Sequence, residues 1–163
     1  HAGAHQAWNA GVNPLFGGLK SFRADYRVLP AATFTDPELA RVGINEREAE
    51  AQGIAVEVIV HPFSELDRAI AEGATEGFVK VLVPPGKDTI LGATIVGARA
   101  GDLGASFALA RKQKSGRDKI LGTKFAYKTF SEAAKFAAGV RRKRHKPERV
   151  LSWLQRYHDW NRQ

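Results

Sequence analysis

Apolar positions along the chain change period several times, and each change predicts an element. Ala4, Trp8 and Val12 recur at i, i+4 and i+8, the spacing of one helical face. This predicts a helix over His1–Asn13 that ends near Gly11–Pro14, since proline does not easily continue a helix. Tyr26 to Phe34 reads as a strand, with Pro30 at an edge, a bend or an entry point. Thr35-Asp36-Pro37 is turn chemistry. Val56 to Val60 is a β-branched strand. GFVKVLV at 77–83 alternates, Pro84 to Asp88 turns the chain, and TILGATIVG at 89–97 returns, which predicts a β-hairpin. Gly92 and Gly97 in and after the return strand suggest a bulge or a close approach by another backbone.

Capping signals place the helices between these strands. Asn45 stands three residues before Glu48 and Thr129 three before Glu132, the reciprocal capping pattern. The first predicts a helix to Gln52 stopped by Gly53, the second a helix to Ala138 closed by Gly139. Residues 64–72 read as a short helix or turn. From Gly101 the period turns helical through Leu103, Phe107 and Ala110, breaks at Ser115-Gly116, and leaves a short turn around Ile120-Leu121. Pro147 suits a first helical position. Beyond it, Val150, Leu151, Leu154, Tyr157 and Trp160 share a face. Strands in a hairpin followed by helices predict an α+β fold, an antiparallel sheet with helices packed on one face. The chain divides into a leading helix and linker at 1–22, a body at 23–139 and a basic helical extension at 140–163.

Composition narrows the function classes. The 163 residues are 44% hydrophobic and 26% charged, with no cysteine and no methionine. Thiol nucleophiles, disulfides and thiolate metal sites are excluded. No apolar run reaches the ~20 residues of a membrane span. A start at His1 predicts a piece of a longer chain. Charge is uneven: residues 1–110 hold 9 Lys+Arg against 13 Asp+Glu, and residues 111–163 hold 16 against 4. That asymmetry fits an acidic body with a basic C-terminal segment, either a solvated surface or a contact for nucleic acid, anionic lipid or an acidic partner.

Candidate chemistry is sparse. His1 and His5 share a helical face, but no acidic third ligand lies near them, so the five histidines read as surface residues and no metal site is expected. Nucleotide and hydrolase glycine motifs are missing. Gly97-Ala98-Arg99-Ala100-Gly101, between a strand and a helix, is either a phosphate-holding helix N-terminus or a tight turn. Tyr127, flanked by Lys124 and Lys128, and Glu132 form the one polar pair with catalytic potential. A phenol acts as acid or base only when its pKa of about 10 is lowered. The alternative is a structural tyrosine and a capping glutamate.

ATFTDPELARVGINEREAEAQG at 32–53, EGFVKVLV at 76–83, ILGATIVGARAGDL at 90–103 and TFSEAAKFAAG at 129–139 form an ordered set. Together they resemble the C-terminal dimerisation domain of the pyridine nucleotide–disulfide oxidoreductases, the family of glutathione reductase, dihydrolipoamide dehydrogenase and mercuric reductase. The resemblance covers roughly Val28 to Gly139. His1 to Gly17 is similar to the helix that follows a flavin-contacting motif, which implies that His1 lies near the flavin of a longer parent. The tail from Arg141 is similar to that of a mercuric-reductase-like bacterial subgroup, some of whose members are fused to a membrane domain.

The resemblance implies a homodimer whose parent uses FAD and NAD(P)H, bound by domains absent from this chain, and a cytoplasmic location, membrane-associated where such a fusion exists. The chain alone is expected to hold neither cofactor and to be inactive. In relatives, a His-Pro-Thr segment with a Glu five positions after the His reaches the partner's redox centre. Here those positions read Tyr127, Lys128, Thr129 and Glu132. Tyrosine in place of histidine, as in mercuric reductases, weakens dithiol proton shuttling, yet their terminal cysteine pair is missing. Lysine in place of proline removes the easy access to a cis bond. The rival function is a membrane-surface or nucleic-acid binding module built on residues 141–163.

Overall fold

The computed structural model describes residues 2–19, 21–23, 26, 28–144 and 148–162. Helix α1 (Ala2–Phe16) leads into β1 (Pro30–Thr33), β2 (Leu39–Gly43), α2 (Glu46–Ala51) and β3 (Glu57–Pro62). A 3-10 turn at Phe63–Glu65 precedes α3 (Asp67–Glu72), β4 (Phe78–Val83) and β5 (Gly92–Val96). The chain closes with α4 (Ala100–Lys112), α5 (Arg117–Gly122), α6 (Glu132–Arg144) and α7 (Glu148–Trp160).

The five strands form one sheet in the order β1-β2-β5-β4-β3, every neighbour antiparallel. Strand periodicity of two then sorts side chains onto opposite faces. Ala40 and Val42, Ile59 and His61, Val79 and Val81, and Ala93 and Ile95 point to one face, and all are buried. Helices α4 and α6 cover that face, α4 over β1, β2 and β5 and α6 over β3 and β4. At Gly104 the helix α4 lies against β2, where a Cβ would meet the Ala40 Cβ at an ordinary 3.5 Å. Phe63, Phe107 and Phe130 fill the layer between sheet and helices. Each such side chain, fully buried, stabilises the fold by about 1.5–3 kcal/mol. The expected α+β arrangement is therefore the observed one.

Several boundaries differ from expectation, each for a local reason. Helix α1 runs through Pro14, because a proline two residues from the helix end forfeits a single N–H bond. The Asn13 side chain clamps that end, donating to the Phe22 carbonyl and accepting from its N–H, both at 2.8 Å. Strand β1 begins at Pro30, not Tyr26; on an edge strand the first residue needs no donor. Strand β2 carried a weak propensity signal, since LARVG is short and Val42 is its one β-branched residue. Residues 117–122 form a helical turn where a simple turn was expected.

Gly139 does not close α6, which continues to Arg144. A Cβ at Gly139 would meet the Leu121 Cδ1 of α5 at an ordinary contact distance of 3.4 Å, and the helix runs on past it. The capping box at Asn45 is formed, with Glu48 N–H donating to Asn45 Oδ1 at 2.8 Å and Asn45 N–H to Glu48 Oε2 at 3.1 Å. The box expected at Thr129 is not. The Thr129 hydroxyl donates to the Ala126 carbonyl, and Glu132 reaches one residue further back, to the Lys128 N–H at 2.8 Å. Pro147 lies outside the described residues.

Candidate functional site

The second face of the sheet is covered at one end only. Register places Leu39 opposite Val96, Val96 opposite Phe78, and Phe78 opposite Pro62, with Arg41, Thr94, Lys80 and Val60 in the next row. Helix α2 clips the far end. Lys80 donates to Glu46 at 2.7 Å and Arg41 to Glu48 at 2.8 Å. The Lys80 hydrogen bond holds the Glu46 carboxyl below its usual range; the Asn45 N–H and then Arg41 do the same for Glu48. Beyond α2 no described element covers Leu39, Val96 and Phe78 in the first row or Val60 in the next. Leu39 is 37% exposed and Val60 39%.

The connector before α6 carries the second set of candidates. Phe130 is buried and packs on Phe63 at 5.8 Å between centroids, while the Arg99 guanidinium lies 5.1 Å over its ring. That arginine also donates to Glu72. Phe130 thus pins the connector to the turn before α4. Lys128 takes a left-handed backbone conformation at φ 57°, and the buried carboxylate of Glu132 holds its N–H. Tyr127 projects outward, 72% exposed. Its hydroxyl lies 3.5 Å from Asp67 at the start of α3, with the Lys128 ammonium 5.5 Å from its ring. Tyr127 and Glu132 therefore share one connector but point to different surroundings. His1 lies outside the described residues.

The glycine turn at 97–101 resolves in favour of the tight turn. Glu38 accepts the Gly101 N–H at 3.2 Å, and its carbonyl accepts the Gly97 N–H at 2.9 Å. An internal carboxylate thus occupies the positive end of α4, where a phosphate would have to sit. Nothing in that turn cradles a dinucleotide, and the residues do not fit such a cofactor. The expectation of surface histidines fails for His61. It is 5% exposed on β3, with its ring 5.4 Å from Phe136 and Nδ1 3.9 Å from Glu65. Alternation on β3 carries it inward.

Residues 29–138 match the family model described as the pyridine nucleotide-disulphide oxidoreductase dimerisation domain. The chain belongs to that family.

A dihydrolipoyl dehydrogenase of Halobacterium salinarum is 40% identical over 114 residues, 70% of this chain but 24% of the relative. Among solved structures, LpdA of Mycobacterium tuberculosis superposes with a TM-score of 0.68 at 26% identity, over 78% of this chain and 28% of that one. The HOCl-induced flavoprotein disulfide reductase RclA of Escherichia coli gives 0.72 at 21%, over 79% and 30%. The chain thus spans about a quarter of the length of the curated relatives it matches. The uncovered sheet face and the outward connector are two surface features of this domain. Sequence reading found the connector. It missed the face because β2 went unseen, although Val58 and Val60 alternating with buried Ile59 carried part of the signal.

Proposed function

We propose that this domain pairs two copies of a flavin-dependent oxidoreductase through the open face of its sheet. The observation that supports this reading is the two-row apolar patch of Leu39, Val96, Phe78 and Val60, lying on the face that α4 and α6 leave bare. Burial of such a patch against its own copy gives a two-fold interface. In the whole protein, cytoplasmic by this reading, FAD and NAD(P)H belong to other domains, and this chain by itself binds neither and turns nothing over. Tyr127 is carried over as the polar group facing the partner's redox centre, Glu132 as the carboxylate that shapes its connector, and His1 as the residue nearest the flavin.

Light scattering tests the pairing directly. A mass near twice 17.8 kDa is expected, falling toward the single-chain mass in V60K, which puts a charge on the open face without touching the core. A mass of one chain at every concentration overturns the proposal. A near-equimolar flavin absorbance after purification overturns the assignment of cofactor binding to other domains.

A second reading, docking of residues 141–163 on an anionic surface, is favoured by one observation. Every residue from 152 to 162 is exposed, so this part of α7 lacks the packing that its apolar stripe leads one to expect.

A further inference from the structure

We propose that α7 is an interfacial helix that lies on an anionic phospholipid leaflet, with Trp153, Leu154, Tyr157 and Trp160 inserted among the headgroups. The inference rests on the anionic-surface reading and narrows it to one partner. At 100° per residue, positions 153, 157 and 160 fall within about 60° of arc, with Leu154 beside them. Their side chains are 63%, 44%, 72% and, for Leu154, 38% exposed. Ser152, Gln155 and Asp159 occupy the other side and Arg156 borders Trp160, so over residues 152–162 the helix is amphipathic while bare on both faces.

Two further features select a bilayer. Tryptophan and tyrosine rings, apolar in the body and polar at the tip, favour the headgroup level of a membrane. The neighbouring charge has the sign that an anionic leaflet attracts. Arg141, Arg142, Lys143 and Arg144 end α6, Arg149 opens α7, and no acidic residue stands between Glu132 and Glu148. Basic residues beside an amphipathic helix recognise anionic lipid. A single-stranded nucleic acid fits less well. Base binding needs open ring faces, but Trp153 and Tyr157 stack on each other at 5.9 Å and 14°, and Leu154 offers nothing to a base. No helix among the described residues is long and apolar enough to cross a membrane, so α7 lies on the surface.

The test uses the W8F chain, in which Trp153 and Trp160 are the remaining tryptophans. It is mixed with vesicles of equal parts phosphatidylcholine and phosphatidylglycerol, and in parallel with heparin and a DNA oligonucleotide. Insertion predicts a blue-shifted tryptophan emission on the anionic vesicles, quenching by brominated acyl chains, and little change on pure phosphatidylcholine. Replacing residues 141–144 by glutamine should weaken vesicle partitioning at least ~100-fold, at about fivefold per charge. L154S/Y157S, which keeps both tryptophans as reporters, should weaken vesicle partitioning and reduce the blue shift. Thermal unfolding of both variants, followed alongside, should match the parent, because the changes lie outside residues 29–138. Sedimentation with anionic vesicles without blue shift or quenching overturns insertion while leaving anionic-surface docking intact. Preference for heparin or DNA also overturns the lipid assignment. Failure to bind any of the three removes both.

Discussion

Removing the carboxylate of Asp88 should destabilise this domain more than removing the arginine it pairs with. Arg117 Nε donates to Asp88 Oδ1 at 3.0 Å, with the arginine side chain 8% exposed and the aspartate 38%. The same carboxylate accepts the Asp118 N–H at 3.0 and 3.2 Å. In D88A the guanidinium stays buried, and among the described residues Asp118, at 3.7 Å, is the carboxylate left in reach. Stranding a fully buried charge costs about 3–5 kcal/mol; the half-wet pair and the remaining Asp118 lower this to about 2–3. In R117M the stranded group is the aspartate, which keeps water and the Asp118 N–H. A methionine also fills most of the vacated space, so the loss is about 1 kcal/mol. The double variant leaves no buried charge and should fall near R117M. Urea unfolding reads the difference. With m of about 2 kcal/mol per M, the D88A midpoint drops by about 1 M and that of R117M by about half as much. An R117M midpoint at or below that of D88A, or a double variant weaker than D88A, refutes the reasoning.

Two other perturbations probe different parts of the molecule. Glu46 and Glu48 both have carboxyl pKa values lowered from the ordinary 4.5. Their contribution to stability is therefore complete above that value and lost as pH falls through the lower folded values, so E46Q/E48Q should melt lower than the parent near neutrality, show a flatter acid limb below about pH 4.5, and converge on the parent as the carboxylates protonate. Gly97 sits at φ +135°, where an added Cβ would lie 2.5 Å from the Phe63 Cε2; G97A should cost about 2 kcal/mol or more, seen as a melting temperature several degrees lower, and an unchanged melt would contradict the tight fit at that turn.

Local rules reached those elements whose reasons are local. The β4–β5 hairpin, the Asn45 capping box and the amphipathic stripe of α7 all rest on contacts within a few residues, and patterning makes such contacts visible. The motifs at 32–53, 76–83, 90–103 and 129–139 likewise carried the family, the α+β class and the connector with Tyr127 and Glu132. Pairing of distant segments decided the rest. LARVG becomes a central strand only because β1 and β5 supply its two ladders, and Glu38 fills the N-terminus of α4 from 63 residues away. Glycines show the same division. Gly53 ends a helix by its own freedom, whereas Gly92 and Gly97 answer to a neighbour, respectively the Ile44 carbonyl and Phe63. Periodicity can state that a strand has two faces. Which face stays bare depends on where α2, α4 and α6 come to rest, and that was settled by tertiary packing alone.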